Sequence, residues 1–272
     1  KAKFGRAARG MSRDYAEGLR DHKQAVFKDL QHIITRLEEA FPKNTFVVRP
    51  HPTENHEVYR EIAKQCQRVQ VTNEGNVVPW LLAAKALIHN GCTTGVEAYV
   101  MRVPAISYRA TVDNFYDEGF YQLPNRLSHQ CYSFEELQIT LKNILDGEMG
   151  AADGDERKKI CDHHLAALEG PLACERIIEV LEKAIKQLEI SPEPPARDRL
   201  NGWLKTTRRR IRQRYKSAQS GSLKSQEFER HRYPPIDVIQ IKNRLDRFRR
   251  LLGYQSGLEA EPVFGRLFLI SG

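Results

Sequence analysis

The apolar positions along the chain recur with two different periods. Between Tyr15 and Phe41, the residues Val26, Leu30, Ile33, Ile34 and Leu37 fall at helical spacing with Lys, Asp, Glu and Arg between them. That spacing predicts a long amphipathic helix, stopped by Pro42-Lys43-Asn44. Short runs rich in β-branched and aliphatic residues follow at Thr45–Val48, Arg68–Val71, Lys85–Ile88 and Ala105–Ser107. Each predicts a strand, the first of them buried. Between them lie helical stretches at Glu54–Cys66, with Thr53 as a candidate cap, at Val77–Ala84, with Pro79 in the first turn, and at Gly95–Met101, behind Thr93 and Thr94. Strands alternating with helices predict an α/β fold, a Rossmann-like parallel sheet covered by helices on both faces. Such sheets bind ligands at the carboxyl ends of their strands.

Beyond Arg109 the pattern loosens. Ala110–Ser128 reads as an irregular loop able to rim a site. Ser133 and Glu136 form a capping-box pattern ahead of a helix to Leu145, and further helices are expected at Glu156–Leu168 and Pro171–Leu188. Ser191-Pro192-Glu193-Pro194-Pro195 reads as a stiff linker and divides the chain into an α/β domain, 1–190, and a basic helical C-terminal extension, 191–272. The extension is expected to hold two basic helices, Trp203–Ser217 and Asp237–Leu252, which could pair as a hairpin, and an apolar tail, Glu261–Ile270.

Charge sharpens this division. The 272 residues carry a formal charge of +8. Ser191–Tyr254 alone holds 17 Lys and Arg against 6 Asp and Glu, so the rest of the chain is slightly acidic. The basic balance therefore belongs to the extension, which points to an anionic partner for it. Five cysteines without CxxC spacing indicate neither a disulfide framework nor a zinc ribbon, and fit a reducing cytoplasm. No stretch is long and apolar enough for a membrane span, and the first twenty residues lack the apolar core of a signal peptide.

Two strand ends carry polar groups that no apolar role explains. After the first strand come Arg49-Pro50-His51-Pro52; after the third come His89-Asn90-Gly91-Cys92-Thr93-Thr94. A helix start offers free N–H groups and the positive end of its dipole to an anion, here with two hydroxyls at its mouth. Glu97, one turn further, is spaced to accept from a ribose diol. His51 can donate to a phosphate or a departing phosphate oxygen, and Arg49 can pair with the same phosphate. If the two strands are neighbours, both ends converge on one crevice. The plainer readings are a Thr-capped α/β unit with a surface Glu, and a turn histidine beside an arginine paired to a carboxylate. His56 and His89 are weaker candidates; His89 either shapes the turn or is a satisfied core histidine. His163 and His164 read as surface, and Asp153-Gly154-Asp155 as solvated. No Walker loop, GxGxxG or HExxH occurs, which favours a reaction without a metal.

Arg-Pro-His-Pro at 49–52, Asn-Gly-Cys-Thr-Thr-Gly-Val-Glu-Ala at 90–98 and Val-Pro-Ala-Ile at 103–106 carry a resemblance. In order and spacing they resemble bacterial surface-carbohydrate (capsule and lipopolysaccharide) biosynthesis proteins with a glycosyltransferase-B-like nucleotide half. They are similar to the His-Pro and Ser/Thr-pair motifs of CMP-sugar transferases for sialic acid and Kdo, and of CDP-glycerol glycerophosphotransferases. The resemblance covers Thr45–Tyr108 well and Phe4–Leu188 loosely. It implies that His51, with Arg49, and the turn of Asn90, Gly91, Thr93 and Thr94 hold the donor phosphate, with Glu97 on the ribose. It further implies a CMP-activated donor as substrate, no separate cofactor, and a saccharide or lipid-linked acceptor. Thr-Thr stands here where Ser-Ser or Ser-Thr is more usual, which keeps the hydroxyl chemistry. Only about forty residues precede the first strand, so the acceptor half is expected from elsewhere. The basic helices would hold the enzyme at the anionic inner membrane face; the plainer reading is a solvated charged hairpin packed on its own domain. Two alternatives remain: a non-hydrolysing UDP-sugar 2-epimerase, and a nucleic-acid module using Trp203–Arg250. The second lacks a known nucleic-acid motif, and no nucleic-acid partner is expected.

Overall fold

The computed structural model describes residues 10–51, 54–117, 122–166, 168–187, 195–217, 233, 235–253, 257–264 and 267–271. The chain divides into two compact units, Lys1–Glu182 and Lys183–Gly272. The linker expected at 191–195 lies, but for Pro195, outside the described residues.

The first unit is mixed α/β with short parallel sheets. Helix α1, Arg13–Ala40, starts at Ser12, whose side chain accepts from the Tyr15 N–H. Strand β1 (Phe46–Val48) pairs in parallel with β2 (Val69–Val71) across helix α2 (His56–Ala63). The cap of α2 is Asn55, which accepts from the Glu57 N–H; Thr53, the expected cap, lies outside the described residues. Helix α3 (Val77–Ala83) is capped by Asn76 and leads to β3 (Leu87–His89). Helix α4 (Thr94–Val100) then crosses to β4 (Ala105–Tyr108). Beyond β4 stand two short helices, α5 (Asn114–Asp117) and α6 (Gln122–Arg126), and strand β5 (His129–Cys131). Strands β3, β4 and β5 form a second parallel sheet, with Ile88 opposite Ile106 and Tyr108 opposite Cys131. Helix α7 (Phe134–Leu145) follows, with Ser133 accepting from the Glu136 N–H. The Glu136 carboxylate closes the reciprocal bond one residue early, on the Tyr132 N–H. Helix α8 spans Asp155–His164, and the division between units falls inside α9, Ala173–Gln187.

All four residues of β4 are buried, and the pleat sorts them between two cores. Ile106 and Tyr108 pack with Ile33 and Leu37 of α1 and with Leu137 and Leu141 of α7. Phe46 of β1 and Ile88 of β3 join that same cluster. On the other face Ala105 packs with Leu81 of α3 and Ala98 of α4. Helices thus cover both faces. The sequence expected one continuous sheet and missed β5, because His129-Gln130-Cys131 has no β-branched residue to mark it.

Glu38 is a buried carboxylate at the end of α1. It accepts from the Arg68 and Gln67 N–H groups at the entry to β2, and the Arg68 bond first of all holds its pKa below the usual carboxylate value. Stability drawn from it is present above the ordinary glutamate pKa and falls as pH drops through the lowered one.

The second unit departs from an all-helical extension. It contains α10 (Ala196–Ser217), α11 (Val238–Leu252) and an antiparallel hairpin of β6 (Glu259–Phe264) and β7 (Leu267–Ser271). The apolar tail is therefore a hairpin, packed beside α11, with Ala260 almost fully buried and Lys242 bonded to Glu259 at 3.0 Å. Asp237 and Gln240 form a reciprocal capping box at the start of α11, and Gly253 ends it in the left-handed conformation.

Candidate functional site

The turn after β3 is built on a buried polar network. Gly91 has φ +65°, which turns the chain sharply at the strand end. Its N–H donates to Asn125 Oδ1 at 2.8 Å, and the same oxygen accepts from Ser107 Oγ at 2.9 Å. Asn90 Nδ2 donates to the Tyr108 carbonyl at 3.0 Å. His89 Nε2 lies 2.8 Å from Ser128 Oγ, and the Ser128 hydroxyl donates to the Pro124 carbonyl. With that hydroxyl's one proton spent on Pro124, Nε2 must carry the ring proton of His89. His89 is 5% exposed, and its Nδ1 has no partner among the described residues. Burial first, and the Arg109 charge second, push its pKa down to about 4, so it is neutral at pH 7.

The residues standing on this network face solvent. Thr93 and Glu97 are exposed and Thr94 is half-buried. Thr93 holds the N-cap place of α4 but has helical φ and ψ and makes no side-chain cap bond, contrary to the expectation of a Thr cap. Its hydroxyl is therefore not spent on the helix. Thr94 Oγ1 lies 3.1 Å from Cys92 Sγ. The first acceptors of α4 serve Gly95, Val96 and Glu97. The Thr93 and Thr94 N–H groups find no backbone acceptor among the described residues, as helix geometry requires.

The segment after β1 is held differently. Arg49 donates to the Glu74 and Gly75 carbonyls at 3.0 and 3.1 Å and lies 5.1 Å from the Trp80 ring centre. Asn73 Nδ2 donates to the Pro50 carbonyl at 2.7 Å. The His51 N–H donates to Glu54 Oε2, its carbonyl accepts from the Glu54 N–H, and its side chain is exposed. His56 Nε2 lies 3.3 Å from the His51 carbonyl and 3.2 Å from Asn73 Nδ2. So the 49–56 segment is anchored on the loop after β2, while the 89–94 turn is anchored on β4 and α6. Phe46 and Ile88 share one core, but these anchoring bonds run to opposite neighbours. Arg49 commits donors to backbone carbonyls rather than to a carboxylate, as the plainer reading supposed.

The loop after β4, expected to rim a site, is strapped along α1. Asp29 accepts from the Thr111 N–H at 2.9 Å, His22 lies 2.7 Å from Asp117, and Tyr15 packs on Phe115 and Tyr116. Arg109, at the carboxyl end of β4, donates to Gln130 and Tyr132. Neither Arg109 nor the trio Ser107, Asn125 and Ser128 was singled out from the sequence. A serine inside the apolar run Ala105–Tyr108 was the one available signal. His163 and His164 are exposed, as expected, and Asp153 pairs with Arg102 at 3.3 Å. Among the described residues, no group of three or more His, Cys, Asp or Glu is placed to hold a metal ion. Comparison with protein-family models, curated proteins and solved structures returns no match to this chain.

Asn125 is the joint of the turn, since one oxygen satisfies two buried donors. Asn125→Ala strands both, with an expected loss of about 2–4 kcal/mol from leaving buried donors unpaired. Urea unfolding of the variant measures it; a loss below 1 kcal/mol on that scale means that another acceptor serves them.

Proposed function

We propose that this chain is a glycosyltransferase, or its donor-binding half, moving a sugar from a CMP-activated donor of the Kdo kind in surface polysaccharide or lipopolysaccharide synthesis. The observation that carries the reading is the exposed Thr93 and Glu97, with half-buried Thr94 between them, on a buried hydrogen-bonded network at the end of β3. The N–H groups and hydroxyls at the α4 start receive a donor phosphate, and Glu97 accepts from the ribose. His51 and Arg49 supply hydrogen-bond donors from the other strand end. Among the described residues no helix is long and apolar enough to cross a membrane. The proposed place is the cytoplasmic face of the inner membrane, held peripherally near a lipid-linked acceptor.

A thermal-shift panel of CMP, CDP and UDP tests this. The expected result is a rise in Tm with CMP and CDP, weaker with UDP. Glu97→Ala and His51→Ala should each weaken CMP binding about tenfold, the worth of one charge-assisted hydrogen bond. Both side chains are exposed, so unliganded stability should hold. No shift with any nucleotide, or equal binding by Glu97→Ala, rejects the site.

A further inference from the structure

Helix α10 has an apolar stripe that stays exposed among the described residues. Leu200, Trp203, Leu204, Ile211 and Tyr215 recur at i, i+3, i+4, i+11 and i+15 and fall on one side of the helix. All are exposed, Trp203 by 63% and Tyr215 by 72%. Exposed Arg208, Arg212 and Lys205 follow one border of the stripe. In sequence the helix holds nine Lys and Arg against one Asp. Helix α11, in the same unit, has a packing role against β6, whereas α10 has none of that extent among the described residues.

The charge decides what covers the stripe. A second copy would bring two strongly positive helices face to face, which repel. A nucleic acid would meet the basic side chains but leave the apolar stripe without a purpose. A lipid surface with anionic headgroups satisfies both: apolar side chains enter the acyl boundary, and the bordering Lys and Arg reach phosphates. Trp203 and Tyr215 suit the headgroup level, where an apolar ring and a polar edge are both accommodated. The stripe runs about 22 Å, long enough to lie flat on a bilayer.

We propose that α10 binds in the plane of an anionic lipid surface, with the stripe of Leu200, Trp203, Leu204, Ile211 and Tyr215 inserted. This refines the peripheral-membrane part of the reading above and owes nothing to the nucleotide site.

The test uses the full chain with Trp80→Phe, which leaves Trp203 as its single tryptophan. Vesicles of phosphatidylglycerol and phosphatidylcholine should shift Trp203 emission to the blue, and acyl-chain bromines should quench it. Phosphatidylcholine alone should bind far more weakly. Ile211→Asp, at an exposed position, should cut partitioning about tenfold or more with circular dichroism unchanged. Arg208→Gln should cut binding to anionic vesicles about fivefold and relax its salt dependence. Adsorption without blue shift or quenching overturns insertion. A Trp203 response to single-stranded RNA in place of vesicles, or self-association without lipid, overturns the lipid surface as partner. Since CMP protection is read separately, either result can fail while the other stands.

Discussion

Gly95→Ala is expected to destabilise the first unit by about 3 kcal/mol, the upper range for forcing an atom into a packed interior. A Cβ at position 95 would lie 2.5 Å from His89 Nε2 and 2.7 Å from its Cε1. The imidazole cannot swing aside freely, because Ser128 holds Nε2 from within the same buried network. The strain therefore falls on the turn that carries Thr93, Thr94 and Glu97. Urea unfolding of the single variant gives the loss. The pair Gly95→Ala with His89→Ala gives its origin, since removing the ring removes the clash and the two losses should not add. Wild-type stability in Gly95→Ala, or strict additivity in the pair, shows that the contact is not limiting.

The second large effect is a dependence on pH through His89. Its folded pKa near 4 lies below the ordinary histidine value of 6.5. Between those values the unfolded chain binds a proton that the folded chain refuses. Stability from this group is thus full above pH 6.5 and is lost as pH falls toward 4. The expected loss is about 3 kcal/mol over that window, at the usual cost per pKa unit. His89→Gln keeps a donor toward Ser128 and does not titrate, so it should flatten that part of the profile. Unfolding free energies of both proteins from pH 7 down to pH 4 check it. An unchanged slope in the variant assigns the loss elsewhere, with the Glu38 carboxylate as the next group to examine.

These two effects meet at the same turn, and neither is visible from local chemistry alone. The sequence marked 89–94 as a break in an apolar run followed by hydroxyls and a short helix, and the structure has that order. It also suggested a Thr cap. Thr93 instead takes helical backbone angles and leaves its side chain out of the cap, because the turn is already held through Gly91 and Asn90. Gly95 read as an ordinary helical residue; its need to be glycine comes from a histidine six positions back and across the turn.

Period and turn chemistry were enough, within this chain, to determine the alternation of helices and strands from α1 to β4, the helix after Ser133 and the basic character of the second unit. Those are local properties: an amphipathic face or a capping side chain depends on neighbours a few residues away. Tertiary structure alone decided which polar residues are buried together. Ser107, Asn125 and Ser128 stand 16 or more residues beyond Gly91 in the chain, and they meet its turn only because β3 and β4 pair side by side beneath α6. It also decided that the apolar tail folds back as a hairpin beside α11, while α10 keeps its stripe exposed. Hydrogen-bond partners and burial are set by which surfaces the whole chain removes from water, and that is a sum over contacts that no single stretch contains.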